Sequence, residues 1–302
     1  MKNEKEAARR NVLVVEAVLI AILVMALTVL LVLYFEKDAP EQRGELSFEE
    51  METAVSDGDE SETAPQPEYV YERIHLEDSI LGDISIPTMP DVRRHSYSWD
   101  NLTEENGRYY YESDTWQSRT GIDVSYFQGE IDWEQVKNDG IDFAIIRLGF
   151  RGYGTGNIVI DEQFISNING ALNAGLEVGV YFFSQAVTQD EAVREAETVL
   201  SMIENYQITY PVVYDLEIID DNGSRTRDLT SETMTANAAA FCSVIEDAGY
   251  DAVYYATLRT ALLKYDMAQL TDYDLWYVQS EEEPGSPYDF IMWQYTSEGE
   301  VD

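Results

Sequence analysis

The residues best suited to chemistry in this 302-residue chain are carboxylates at the ends of apolar runs. Tyr214-Asp215-Leu216-Glu217 closes a hydrophobic stretch that begins after Tyr210-Pro211. On a strand, side chains two apart share a face, so Asp215 and Glu217 project together. Two crowded carboxylates disfavour each other's ionisation, which raises the pKa of one. The protonated member is then a general acid able to protonate a glycosidic oxygen near neutral pH. Asp-x-Glu alone is common, and it also describes a solvated strand end with two ordinary acids. A third acid adds weight. Asp123, in Gly121-Ile122-Asp123-Val124-Ser125, lies between apolar neighbours, and acids are rarely buried without a partner or a task. Asp132 stands just before an apparent helix start, Trp133-Glu134-Gln135-Val136, where N-capping is a sufficient role.

Other chemistries are poorly supplied. The only two histidines, His75 and His95, lie in the low-complexity N-terminal half, which removes a histidine-rich zinc site and a Ser-His-Asp triad. The single cysteine, Cys242, falls in a helical stretch as a space-filling thiol and cannot form a disulfide within the chain. A formal net charge of -39 opposes nucleic-acid binding, because phosphates would be repelled. Gly149-Phe150-Arg151-Gly152-Tyr153-Gly154-Thr155-Gly156 lacks the Lys-Ser/Thr and the helix of a phosphate loop. It reads as a flexible surface loop. Arg147, after four apolar residues, is expected to pair with one of the site acids.

The elements that must hold these acids follow from the pattern after Gly121. Buried strands are expected at Phe143 to Leu148, Glu177 to Phe183, Pro211 to Asp215, Ala252 to Tyr255 and Phe290 to Trp293. Helical spacing fills Glu162 to Ala174, Gln189 to Glu204 and Ser231 to Ala248, with Gly175 and Gly249 as stops. Strand-helix alternation implies a parallel sheet with helical crossovers, in which active sites form at the carboxyl ends of strands. A barrel and a doubly wound sheet both satisfy it.

The N-terminal part is organised differently. Val12 to Phe35 is almost wholly apolar, with Glu16 as its one charged residue. Its length of roughly 36 Å as a helix exceeds a hydrocarbon core of about 30 Å. Lys2, Lys5, Arg9 and Arg10 precede it, which predicts a cytoplasmic tail over 1–11, an anchor over 12–35 and the remainder outside the cell membrane. The run is long for a cleaved signal, and its bulky end offers no small-residue cleavage site. Residues 36–78 carry fifteen acids against three bases and read as a disordered linker. Residues 79–120 read as an extended lead-in with room for a small hairpin.

The motifs from Gly121 onward, taken in order, resemble glycoside hydrolase family 25. They are Gly121-Ile122-Asp123-Val124-Ser125, Gln128-Gly129, Ile131-Asp132-Trp133, Phe143-Ala144-Ile145-Ile146-Arg147, Asp161-Glu162-Gln163-Phe164, Val178-Gly179-Val180-Tyr181-Phe182, Asp215-Leu216-Glu217 and Trp293-Gln294-Tyr295-Thr296-Ser297. The resemblance implies that residues 121–302 form an α/β domain, an irregular TIM-like (β/α) barrel with fewer than eight helices. It implies a lysozyme-type muramidase that cuts the β-1,4 bond between N-acetylmuramic acid and N-acetylglucosamine in peptidoglycan glycan strands, without a cofactor or metal. Carried over by position, Glu217 would be the general acid, while Asp123 and Asp215 would orient the site and stabilise positive charge on the substrate. Tyr181, Tyr214, Tyr255, Trp276 and Gln294 become candidates for lining the sugar groove. Retention and inversion both stay open, since they depend on carboxyl separation. Two departures stand out. The family's last strand does not appear before Asp302, and Leu275-Trp276-Tyr277-Val278-Gln279-Ser280 differs from the usual pattern. A non-catalytic wall-binding protein on the same fold, and a chitinase-like enzyme, are the competing readings.

Overall fold

The computed structural model describes residues 72–78 and 82–301. The expected tail over 1–11, the anchor over 12–35 and the linker as far as residue 71 lie outside the described residues. Among those described, no helix is long and apolar enough to cross a membrane.

The linker expected to run to Asp78 gives way to structure earlier. Strand β1 (Arg73–Asp78) pairs antiparallel with β2 (Gly82–Pro87). Ile74 and Ile86 face each other across this ladder and both pack on the main core, which gives this end of the acidic segment a reason to order. The lead-in holds a second hairpin, β3 (Leu102–Glu105) and β4 (Arg108–Tyr111). Its turn is Asn106-Gly107, both at positive φ, the pairing that matches the twist of two strands joined by two residues.

The main sheet contains β5 (Gly121–Val124), β6 (Phe143–Arg151), β7 (Ile158–Ile160), β8 (Glu177–Ser184), β9 (Val212–Leu216), β10 (Ala252–Thr257), β11 (Asp274–Val278) and β12 (Met292–Gln294). Seven strands run parallel in the order β5-β6-β8-β9-β10-β11-β12. β7 folds back antiparallel on the last residues of β6. The crossovers are α1 (Trp133–Asn138), α2 (Phe164–Asn173), α3 (Gln189–Ile203), α4 (Ser231–Asp247) and α5 (Leu258–Leu263). Asp132 caps α1, accepting from Gln135 N at 3.1 Å. Gly175 and Gly249 end α2 and α4 at φ +78° and +88°, where a side chain would be strained.

Alternation along each strand sorts its side chains onto two faces. One face (Ile146, Val180, Tyr214, Tyr254 and Tyr277 among others) packs under the helices on Phe241, Cys242 and Val199. The other carries a small separate cluster of Ile145, Val213, Val253 and Trp276, flanked by Phe143, Tyr181, Tyr210, Tyr255 and Met292. This is the concave side, closed at the bottom by Phe143 stacked on Tyr210 at 4.2 Å.

The expected barrel is in fact a curled, open sheet, because its outer strands β5 and β12 do not pair through their backbones. Both are short, four and three residues, so neither offers much edge to extend. The lead-in reaches both sides of this opening. Arg108 is ion-paired with Asp139 at the end of α1, and Tyr109 packs on Trp293 and Tyr295 at 4.9 and 5.1 Å.

The glycine-rich run is also more ordered than expected. Gly149, Phe150 and Arg151 belong to β6, and only residues 152–157 form the turn into β7. A Cβ on Gly149 would lie 2.6 Å from Val159 O, so the close approach of β7 requires glycine there.

Candidate active site

The acids gather at the carboxyl ends of the parallel strands. Asp123 is the third residue of β5, Asp215 lies near the end of β9, and Glu217 follows β9 directly. Asp215 is buried, Asp123 is half-buried, and Glu217 opens to solvent at the mouth. Each carboxyl is raised above its usual range. For Asp215 the cause is burial first, then the charges of Glu217 and Asp123, with Arg147 opposing. Glu217 is raised by the desolvating walls of the cleft and then by Asp123. Asp123 is raised by burial, partly offset by a hydrogen bond from Gln294. Loss of water therefore outweighs mutual repulsion throughout the group, a different order from the one that spacing alone suggests. Asp215 Oδ1 is buried without a hydrogen-bond partner.

Neighbouring strands complete the wall. Gln294 Nε2 donates to Asp123 Oδ2 at 2.7 Å, and Tyr255 Oη donates to Gln294 Oε1 at 2.9 Å. Trp276 meets Tyr255 edge-on at 5.3 Å and is buried as the floor of this side. Tyr181 faces the same space, its phenol raised by burial and by the nearby Asp215 and Asp123. Tyr214 does not join them. It alternates with Asp215 onto the helix side, is fully buried, and packs on Phe241 at 5.2 Å. Its aromatic type suits a sugar groove, but its parity on β9 does not.

Arg147 also departs from expectation. Its Nε donates to Asp161 Oδ2 at 2.7 Å, so its partner is an acid other than Asp123, Asp215 and Glu217. Asp161 Oδ2 also accepts from Tyr126 N at 3.1 Å, which fixes the turn after β5. Above the guanidinium lie the rings of Tyr126 and Phe127, at 4.9 and 5.3 Å. Phe127 is 72% exposed, a large apolar face beside the cleft. A bulge between Arg147 and Gly149 in the β6–β8 ladder lets Arg147 point inward while the strand continues toward β7.

Several supporting residues escaped the sequence reading. Gln185 Nε2 donates to Glu217 O at 2.8 Å and Gln185 Oε1 accepts from Thr226 Oγ1 at 2.7 Å, a buried brace that sets the backbone carrying Glu217. Arg151 Nε donates to Glu195 Oε1 at 2.6 Å, and Ser184 Oγ donates to Glu195 Oε2 at 2.6 Å, tying α3 to the ends of β6 and β8. Burial pushes the Glu195 carboxyl up to about 7 despite these partners. The only sequence signal for the brace was a polar pair, Ser184-Gln185, directly after an apolar strand. Among the described residues no cluster of His, Cys, Asp and Glu is arranged to hold a metal ion.

A raised acid at the mouth, a buried acid beside it and a half-buried third acid form a site that can donate a proton to a leaving oxygen and stabilise developing positive charge. Comparison with known proteins points the same way. The family model described as glycosyl hydrolases family 25 matches residues 122–302. Lysozyme M1 of Streptomyces globisporus is 40% identical over 65 residues, 22% of this chain and 20% of that protein. The autolytic lysozyme of Clostridium acetobutylicum is 24% identical over 183 residues, 60% of this chain and 51% of that protein. The chain thus spans about half, or less, of the curated relatives it matches. A family 25 glycosyl hydrolase from Bacillus anthracis shares the fold, with a TM-score of 0.53 at 22% identity over 66% of this chain and 88% of that one.

Proposed function

The chain belongs to glycosyl hydrolases family 25, and on that premise we propose that it is a peptidoglycan muramidase cleaving the β-1,4 bond between N-acetylmuramic acid and N-acetylglucosamine. The observation that carries this reading is the convergence of Asp123, Asp215 and Glu217 at one strand-end cleft, each held above its usual carboxyl range. Glu217, nearest to solvent and to an incoming glycan, gives its proton to the glycosidic oxygen. Asp215 and Asp123 stabilise the positive charge that develops on the sugar or its acetamido group. The Gln185–Thr226 brace holds the backbone of Glu217, and the Tyr255–Gln294 chain holds Asp123. Tyr181 and Trp276 line the wall that a sugar ring would face.

Anchoring at the cell membrane is part of the same proposal. It is supported by the apolar run Val12 to Phe35 and the basic residues before it. The acidic composition of the residues that follow supports the same reading, as a self-repelling linker.

The test is muropeptide release from purified peptidoglycan by the full chain beside Glu217→Gln. New reducing ends at muramic acid should fall by about a hundredfold or more in the variant, the usual contribution of a general acid. A folded protein that binds the wall and releases nothing would replace the enzyme reading with that of a binding module.

A further inference from the structure

Away from the cleft, the lead-in forms an open, solvent-facing cavity of about 550 Å³ lined by residues between Ser96 and Trp116. One wall is the turn Ser113-Asp114-Thr115-Trp116. Ser113 N donates to Trp116 O at 2.8 Å, while Ser113 Oγ accepts from Thr115 N at 3.3 Å and Trp116 N at 3.0 Å. Its flanks are clamped by the bridge between Glu112 and Gln117 and by Tyr111 N donating to Ser118 Oγ at 2.8 Å. The turn presents Trp116 with 54% of its surface exposed. Tyr97 supports the indole edge-on at 6.4 Å, and its own hydroxyl donates to Phe290 O at 2.7 Å. The backbone that carries this exposed aromatic is thus fixed by its own hydrogen bonds, which lowers the entropy lost when something binds.

The remaining lining is Tyr111 and shorter polar side chains, Ser96, Ser98 and Asn101 with the carboxylates Glu112 and Asp114. A flat aromatic face suits the C–H face of a pyranose, while hydroxyls, an amide and carboxylates suit sugar hydroxyl and acetamido groups. None of these residues belongs to the acidic cleft. The contact of Tyr97 with Phe290 places the cavity beside the start of β12, away from the strand ends that carry the acids.

We propose that this cavity is a second glycan site, taking a β-1,4-linked strand of N-acetylated amino sugars on the flank of the domain. The inference rests on the reading of the chain as acting on peptidoglycan. It adds a hold on insoluble wall that the cleft does not provide, and multiplies residence through the linked second contact.

The test uses the full chain, solubilised in mild detergent, in the Glu217→Gln background, so that binding is read without cleavage. Co-sedimentation is measured with sacculi and with glycan strands stripped of their stem peptides. Adding Trp116→Ala should weaken binding to both by about tenfold, the loss expected of an aromatic anchor, and Trp116→Phe should recover most of it. With Glu217 intact, Trp116→Ala should slow release from sacculi but leave cleavage of a short soluble muropeptide dimer within about twofold. Unchanged binding in a folded variant, an equal loss on short and long substrates, or a Trp116 effect that needs the stem peptides would each overturn the second site. If Trp116→Ala does not fold, Asn101→Ala replaces it with the same expected outcomes. Failure of the enzyme reading is separate: neither substrate is cleaved by the unmodified chain, yet the Trp116 effect on binding remains.

Discussion

Asp123 and Gln294 stand on the two outermost strands of the sheet, yet Gln294 Nε2 donates to Asp123 Oδ2 at 2.7 Å. The curl that the backbone leaves open is therefore closed by side chains at the site. Tyr255 Oη occupies the amide oxygen of Gln294, so the amide nitrogen is turned toward Asp123. A tyrosine two strands away thereby fixes the donor that a half-buried carboxylate needs.

Replacing Gln294 with leucine removes that donor and keeps the bulk. The hydrogen bond favours the charged form of Asp123, so its pKa should climb further. The acid limb of kcat/KM against pH should move upward. Activity at neutral pH should fall by roughly ten- to a hundredfold through misorientation of Asp123. An unmoved limb would mean that Asp123 does not govern it.

Asp215 resists ionisation in the folded chain and not in the unfolded one. Above the ordinary carboxyl range the unfolded state is thus favoured, and stability falls as pH rises toward the raised folded value. Asp215→Asn should stabilise the protein at neutral pH by about 1–3 kcal/mol, the scale of a buried group without a partner. The gain should vanish in acid, where both states hold the proton, and activity should drop. Thermal melts across pH check the sign: a destabilised variant at neutral pH would show that Asp215 is not under strain.

Tyr214 and Tyr255 make a matched pair of controls. The Tyr214 hydroxyl is buried on the helix side without a hydrogen-bond partner, so Tyr214→Phe should leave kcat/KM within about twofold and add up to roughly 1 kcal/mol of stability. Tyr255→Phe frees Gln294 and should lower kcat/KM by about tenfold with little change in melting. Equal kinetic effects of the two would contradict their assignment to opposite faces.

The legible parts of this protein were those written in short-range pattern. Strand and helix positions followed apolar runs and glycine stops. Asp215 and Glu217 could be placed on one face because strand parity is local. The same parity rule, applied to Tyr214, assigns it to the opposite face, whereas its aromatic type alone suggested a groove. Other features depended on contacts distant in sequence. Arg147 finds Asp161 across a β-hairpin, and Gln185 reaches Glu217 and Thr226 from the neighbouring strand end. Whether the sheet closes depends on how far β5 and β12 extend, and on Tyr109 and Arg108 arriving from the lead-in. Nothing in the local pattern of either edge strand encodes that.

The Arg147–Asp161 pair offers the sharpest energetic test, because both side chains are almost wholly out of water. Removing one partner strands the other charge. Asp161→Asn should therefore cost about 3–5 kcal/mol in urea unfolding. Removing the charge as well, by adding Arg147→Met, should recover part of that loss, since the buried cation is gone and the methionine fills similar space. The double variant would then be more stable than Asp161→Asn alone, a coupling that simple addition of the two single effects cannot give. The pair also reaches the chemistry. Arg147 favours ionisation of Asp215, so Arg147→Met should push that carboxyl still higher. Its pH–rate profile should shift upward, while in Asp161→Asn, where the cation remains, it should not. Identical profiles for the two single variants would confine Arg147 to a structural role.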